Sequence, residues 1–424
     1  MRIERIWHGM VRAPFSETIE WGSGKRSGTT RLIVRIETAG GIVGWGEAQC
    51  LIPSTPAVMA QVAELAVGHD VSDVERLYRH VLGAGYYHHQ RAAVFAIAAL
   101  EMAMWDAFGK HCGQPLWRLW GGRWRERVAA SAYVFHADPA RLAPAVAGFL
   151  DAGFETFKVK IGFDAESDLA LAETARDMIG ARPLRLDVNG AWTPGTARAQ
   201  PARLAPLRPA YVEQPLELSD IAGHAALRQC QPIPIALDES AYTLTDVGRI
   251  VAAGAADVLL LDPHQAGGLW QVLKAAGIAE ASGLPVSLHS GAELALSQAA
   301  YLHLAAAIPN MTLAIDTERT YLGTDIAADP PALCEGWFTV PEAPGLGVEV
   351  DEDRVEALAV DRIEGPIWTR RARAGSRSSP LTDTARPGAC RKDRNPHDAP
   401  RRAAGHDTGP EDGGAAGRTG GGPA

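Results

Sequence analysis

Cysteine is scarce and nowhere clustered. The 424 residues hold five, Cys50, Cys112, Cys230, Cys334 and Cys390, with no CxxC pair among them. Such spacing argues against a structural zinc site and against a disulfide framework, and it fits reduced, buried or incidental thiols. No apolar run approaches the ~18 residues of a membrane-spanning helix, so no membrane partner is expected. The N-terminus, MRIERIWHGMVRAPF, lacks the basic-then-apolar layout of a secretory signal, and the expected location is the cytoplasm. A GxGxxG phosphate loop is also missing, which leaves an open doubly wound nucleotide-binding sheet without support.

Positive charge is short in most of the chain. The net charge is −9, yet from Arg370 onward there are 11 Lys and Arg against 6 Asp and Glu; residues 1–369 therefore carry 30 against 44. An acidic body is a poor nucleic-acid partner. It does not bar an anionic small molecule, because a metal and local lysines can reverse the field inside one pocket.

Three patterns follow one another along the chain. Residues 1–126 begin with strand-like alternation, RIERIWHGMV and RLIVRIETAGGIVGWGEA, with a glycine turn at Gly40-Gly41. The stretch AVFAIAALEMAMWDAFGKHCG then predicts a helix apolar on almost every face, hence buried, stopped by Gly113-Gln114-Pro115. From 127 to 340 eight short apolar runs (VAASAYV, FKVKI, LRLDVN, YVEQP, PIALDES, DVLLLDP, LPVSLHS, LAIDT) alternate with amphipathic stretches. Eight strand–helix units favour closure into a (β/α) barrel, the larger part of an α/β protein with an N-terminal α+β capping domain. Residues 341–366, with PEAPGLGVEVDEDRVEAL, are expected to return to the capping domain. Residues 367–424 have almost no large apolar side chains and are expected to form a disordered tail.

Ionisable residues recur at the ends of the barrel runs. Lys160, Asp187, Glu213, Asp238, Asp262 and His289 are separated by 27, 26, 25, 24 and 27 residues, one strand–helix unit each time. Strand C-termini converge on one mouth of a barrel, where such folds place their sites. Three carboxylates from consecutive strands, Asp187, Glu213 and Asp238, suit a hard divalent cation, most often Mg²⁺. A lone strand-end carboxylate would more often be a helix cap or an ion-pair member. The third ligand is open between the adjacent Asp238 and Glu239, which point to opposite faces of a strand; Asp238 is favoured. Lys158 and Lys160 share a strand face. Mutual repulsion and desolvation there are expected to lower their pKa values and release a neutral amine base. His289 alone would read as a core histidine, but Asp262 one strand earlier could hold its tautomer.

Taken together, the Lys158/Lys160 KxK pair, LDVNGAW, EQP, LDES, DPHQAGG and SLHS resemble the enolase superfamily, in its mandelate racemase and muconate lactonising group, over about residues 1–365. Asp262 stands where the lactonising and dipeptide epimerase branch carries a lysine. AIDTERTYL and VPEAPGLGVEVD look most like the glucarate dehydratase branch, whereas LDES looks more like the lactonising one. The resemblance implies one Mg²⁺ on the substrate carboxylate and an enediolate after α-proton removal. It implies Lys160 as base on one face, His289 oriented by Asp262 on the other, and Lys158 stabilising developing charge. Substrate contacts are expected from Lys158, Asn189 and Glu239, and from the capping residues Trp21, Tyr86 and His88. The reaction read from these features is dehydration of an acid sugar, a small carboxylate, by a homo-oligomeric enzyme. Racemisation, epimerisation or cycloisomerisation is the alternative, and an inert barrel kept for binding is the non-enzymatic one.

Overall fold

A computed structural model describes residues 1–364 and 367–368 of the chain. The N-terminal alternation becomes a long antiparallel hairpin, β1 (Ile3–Trp21) and β2 (Gly24–Thr38), and β3 (Val43–Gln49) pairs with β2. Helices α1 (Ser54–Ala66), α2 (Val74–Gly83) and α3 (Gln90–Cys112) complete the cap. Gly44 and Gly46 of β3 let α3 lie close against the sheet, since a Cβ at either would stand within 2.1 Å of the Ala103 or Ala99 carbonyl oxygen. Gly113, at φ 63°, ends α3 in the left-handed conformation.

One expectation needs correction here. The segment Tyr86–Cys112 spans 27 residues and is long and apolar enough, by length and composition, to cross a membrane. Its all-round apolarity instead serves burial: from Ala93 to Ala107 nearly every α3 side chain is enclosed.

The barrel begins at β4 (Arg127–Val134). It continues through β5 (Thr156–Lys160), β6 (Leu184–Asp187), β7 (Tyr211–Glu213), β8 (Ile235–Leu237), β9 (Val258–Leu261) and β10 (Val286–Leu288), each parallel to the one before. The eighth strand, β11 (Ile315–Asp316), pairs in parallel with β4 and closes the ring. Ser287 Oγ donates to the Ala314 carbonyl (2.8 Å) across the β10–β11 gap. Long helices fill the intervals between strands, but a short 3-10 turn, Arg319–Tyr321, follows β11 where an eighth helix would stand. The fold is thus an α/β barrel of modified form with an α+β cap. A hairpin of β12 (Leu333–Cys334) and β13 (Trp337–Thr339) pairs with β4, after which β14 (Ala359–Val360) rejoins β1 in the cap sheet. Ile367–Trp368 pairs with β2. The rest of the expected tail lies outside the described residues.

Cap and barrel are joined by buried carboxylates. Glu101 of α3 accepts from the backbone N–H groups of Leu269 (2.8 Å) and Trp270 (2.9 Å), at the start of helix Leu269–Ala281, and from Trp105 Nε1 (2.7 Å). Burial outweighs these donors and pushes the Glu101 carboxyl up from 4.5 to about 7. A carboxylate raised in the folded state favours folding below its unfolded pKa, and that contribution is lost as pH rises through the folded value. Between pH 4.5 and 7 the Glu101 contribution should fall by about 3 kcal/mol. Denaturant unfolding of wild type and Glu101→Gln across that range checks this, because the stability difference between them should shrink by that amount as pH rises.

Candidate active site

The barrel mouth gathers the strand-end residues. Lys160, Asp187 and Glu213 close β5, β6 and β7, while Asp238, Asp262 and His289 follow β8, β9 and β10 directly. Two of the loops need unusual backbone. Asn189 (φ 48°) and Gln214 (φ 40°) are left-handed, a conformation non-glycine residues adopt rarely. The Gln214 Oε1 accepts from the N–H groups of Asp238 (3.2 Å) and Ser240 (3.1 Å), so the residue after Glu213 fixes the loop that carries Asp238.

Both lysines lie in a carboxylate cage. Lys158 Nζ donates to Glu213 Oε1 (2.6 Å) and Asp316 Oδ2 (2.6 Å), with Asp187 Oδ2 at 3.2 Å. Lys160 Nζ donates to Asp187 Oδ2 (2.6 Å) and Asn189 Oδ1 (2.8 Å). Both ammonium groups sit over the Tyr133 ring, 4.6 and 4.8 Å from its centroid. The expected lowering of the lysine pKa values is corrected for Lys158. Burial does press it down, but Asp316 and Glu213 outweigh burial and raise it well above its ordinary value. Asp187 moves the opposite way from a buried acid, because Lys160 and Lys158 overcome its desolvation and hold it low.

On the far side of the cage the carboxylates outnumber the available donors. Glu213 Oε2 and both oxygens of Asp238 are buried without a hydrogen-bond partner. Buried carboxylate oxygens without a partner are costly; the His289 ring stands 3.0 Å from Asp238 Oδ2, and burial, then Asp187, pushes the Glu213 carboxyl well up. Glu213, Asp238 and His289 each bring a ligand atom within 4.8 Å of the others, a group that can hold a metal ion. The oxygen-rich set fits a hard divalent ion. Asp187, expected as a ligand, has its Oδ2 committed to the lysines in this structure. Glu239 Oε1 accepts from Asn189 Nδ2 (2.9 Å), its Oε2 is likewise buried without a partner, and burial, then Asp238, pushes its carboxyl to about 7.

The expected Asp262–His289 hydrogen bond is not formed. Asp262 Oδ1 caps the short helix Pro263–Ala266 by accepting from His264 N (2.7 Å), and it also accepts from Tyr301 Oη (3.0 Å). His289 Nδ1 instead lies 3.0 Å from Asp238 Oδ2, close enough for an ion pair but off the line a hydrogen bond needs. Burial works against charge on His289, yet Asp238 prevails and lifts its pKa to about 10. Asp262 acts on the ring only through its field.

A cavity of about 360 Å³ opens on these groups. Lys160, Asn189, Asp238, Glu239 and His289 line it, and from the cap Trp21 does so as well. Tyr86 and His88 do not. Tyr86 Oη bonds to Gln61 and the His88 ring packs at a tilt against Tyr87, on an exposed turn at the foot of α3. Arg91 and Phe95, in the first turns of α3 itself, line the cavity in their place. Sequence reasoning also missed Asp316, which receives Lys158, Ser131 Oγ (2.7 Å) and Arg185 Nη1 (3.3 Å). A usable sign existed, since Asp316 lies 27 residues after His289 and so continues the strand-end series. The buried Arg26–Glu318 ion pair at the cavity wall had no such sign.

Two family models cover most of the described chain. The mandelate racemase / muconate lactonizing enzyme N-terminal domain matches residues 10–121, and the enolase C-terminal domain-like model matches residues 141–354. The chain belongs to the enolase superfamily, in the mandelate racemase and muconate lactonizing group. It is 30% identical over 372 residues to a protein of Streptomyces coelicolor named probable glucarate dehydratase, covering 78% of this chain and 84% of that one. It is 29% identical over 386 residues to the D-galactarolactone cycloisomerase of Agrobacterium fabrum, covering 86% and 100%. The crystal structure of the N-succinyl Arg/Lys racemase from Bacillus cereus superposes with a TM-score of 0.79 at 25% identity, covering 87% and 100%. This enolase-superfamily chain is an enzyme of lyase or isomerase type.

Proposed function

We propose that this enzyme dehydrates an acid sugar to a 2-keto-3-deoxy acid. The observation that carries the reading is that Lys160 and His289, from the second and seventh barrel strands, line one cavity together with Asp238. In this reading Lys160 Nζ takes the α-proton, with Asp187 and Asn189 aiming the amine. His289, on the opposite face of the substrate, gives a proton to the departing β-hydroxyl, which leaves as water. The resulting enol then tautomerises to the keto acid. A divalent cation, Mg²⁺ by the oxygen-rich donor set, held by Asp187, Glu213 and Asp238, would neutralise the charge that builds on the substrate carboxylate. Lys158, fixed among Glu213, Asp316 and Asp187, adds positive charge to the same region. Trp21, Asn189 and Glu239 are the substrate contacts this reading retains, whereas Tyr86 and His88 are not.

The name of the Streptomyces relative supports dehydration, and the names of the cycloisomerase and racemase favour a second reading, isomerisation by the same two groups. A panel of sugar acids assayed for 2-keto product separates the two. Dehydration predicts keto acid from at least one member. Deuterium from D₂O in recovered substrate or its epimer, with no keto acid formed, would instead establish the isomerase reading.

A further inference from the structure

The cap contributes more to the site than its cavity wall. We infer that Arg31, in the middle of β2, is a positioning residue for the His289 half of the proton-transfer machinery. The inference rests on the reading above, in which Lys160 and His289 serve opposite faces of the substrate.

Arg31 is wholly buried, and each of its three guanidinium nitrogens has a partner. Nε donates to Glu47 Oε1 (2.6 Å) and Nη1 to the Gly291 carbonyl (3.0 Å); Nη2 lies 2.9 Å from His264 Nε2 and 3.4 Å from Ser297 Oγ. Gly291 stands two residues after His289, and His264 two residues after Asp262. One cap side chain therefore ties together the loops after β9 and β10, the two that carry Asp262 and His289. Its hydrogen bonds reach neither Lys158, Lys160, Asp187 nor Asn189.

Neighbouring bonds tighten the same loop. Glu47 accepts from the N–H groups of Leu294 (2.9 Å) and Ser297 (3.0 Å), at the start of helix Ala295–Ala307. Within the loop, Glu293 accepts from Ser290 Oγ and Gly291 N, both at 2.6 Å, and Tyr301 Oη links Asp262 (3.0 Å) to Glu293 (3.5 Å). Ala292 is left-handed at φ 63°, a conformation that persists only where the surroundings impose it. The buried tie at Glu101 ends away from the cavity, at Leu269 and Trp270, and the Arg26–Glu318 pair ends at the cavity wall on the segment after β11. The Arg31 tie ends on the catalytic loop. Lysine could not replace it, because one ammonium cannot span Glu47, Gly291 and His264 together.

Arg31→Lys in the full-length, cation-loaded enzyme tests the assignment. Deuterium incorporation at the α-carbon is measured for both C2 epimers of a sugar acid, the epimer whose exchange is lost in His289→Asn reporting the His face. Exchange on that face should fall by about 100-fold, the scale of an ångström-sized misplacement, while exchange on the Lys160 face stays at the wild-type rate. Backbone hydrogen exchange gives a readout that needs no turnover: the Gly291 and Leu294 amides should lose protection, and those of Leu269 and Trp270 should keep it. Equal loss on both faces, or wild-type protection at Gly291 and Leu294, overturns the inference. If wild type exchanges neither epimer, the functional reading fails, and the amide protection alone decides the positioning role. Should Arg31→Lys not fold, Glu47→Gln keeps the shape, weakens the hold on Arg31, and should give the same pattern at smaller amplitude.

Discussion

Lys160→Ala should lower α-proton removal by between about 10²- and 10⁴-fold, the contribution of a positioned general base. Substrate affinity should change little, because the cavity keeps its remaining polar lining. The fold should tolerate the change, since Asp187 retains Lys158 at 3.2 Å and the Asn189 N–H at 3.0 Å. Lys160→Arg should not restore the rate, as a guanidinium does not give up its proton near neutrality. His289→Asn should produce a different defect. Its α-proton still exchanges through Lys160, but the β-hydroxyl is no longer protonated on leaving, so 2-keto product falls while exchange continues. Rapid-quench assays of keto acid, set beside NMR of deuterium uptake, read the two defects separately. Identical phenotypes for the two variants would mean that the residues do not divide the work as assigned.

Cation binding is expected to have the second large effect. Glu213 Oε2 and Asp238 Oδ1 are buried without a hydrogen-bond partner, and Asp238 Oδ2 has only His289 Nδ1 at 3.0 Å, so a divalent ion that meets this group binds the folded chain alone. At 100 times its dissociation constant such an ion should stabilise the fold by about 2.7 kcal/mol. Chelation should remove that gain together with turnover. Asp238→Asn should abolish the gain even at high Mg²⁺, because it takes an anionic oxygen from the group and leaves His289 without its carboxylate at 3.0 Å. Thermal melts of both proteins with Mg²⁺ and with chelator make the comparison. An undiminished rise in Asp238→Asn would put the ion somewhere other than this cluster.

The strand-end series was legible because a barrel repeats its geometry. Each strand–helix unit has nearly constant length, so Lys160, Asp187, Glu213, Asp238, Asp262 and His289 arrived at one mouth in the order their spacing implied. The α3 helix was legible as a buried element for an equally simple reason, its lack of a polar face. What was hidden depends on side-chain direction and on contacts between distant segments. Asp262 and His289 sit on neighbouring strands, yet Asp262 turns to cap its own helix and leaves His289 to Asp238. Spacing places a Cα; it does not choose a rotamer. Tyr86 and His88 fall in the turn that precedes α3, and it is Arg91 and Phe95 on the helix that line the cavity. Lys158 was read as a member of a repelling pair because Asp316, its strongest partner, lies 158 residues away. Arg31 gives no periodic sign at all. Its role exists only once β2 is laid against the loops after β9 and β10.

The central claim is metal-dependent removal of an α-proton from a carboxylate, and NMR of sugar acids in D₂O tests it most directly. With the folded wild-type enzyme and Mg²⁺, the α-proton signal of at least one acid should disappear, by exchange or by conversion to keto acid. With chelator, or with Lys160 and His289 both replaced, it should persist. A full panel of acids keeping every α-proton in the presence of the folded, Mg²⁺-loaded enzyme would contradict the account.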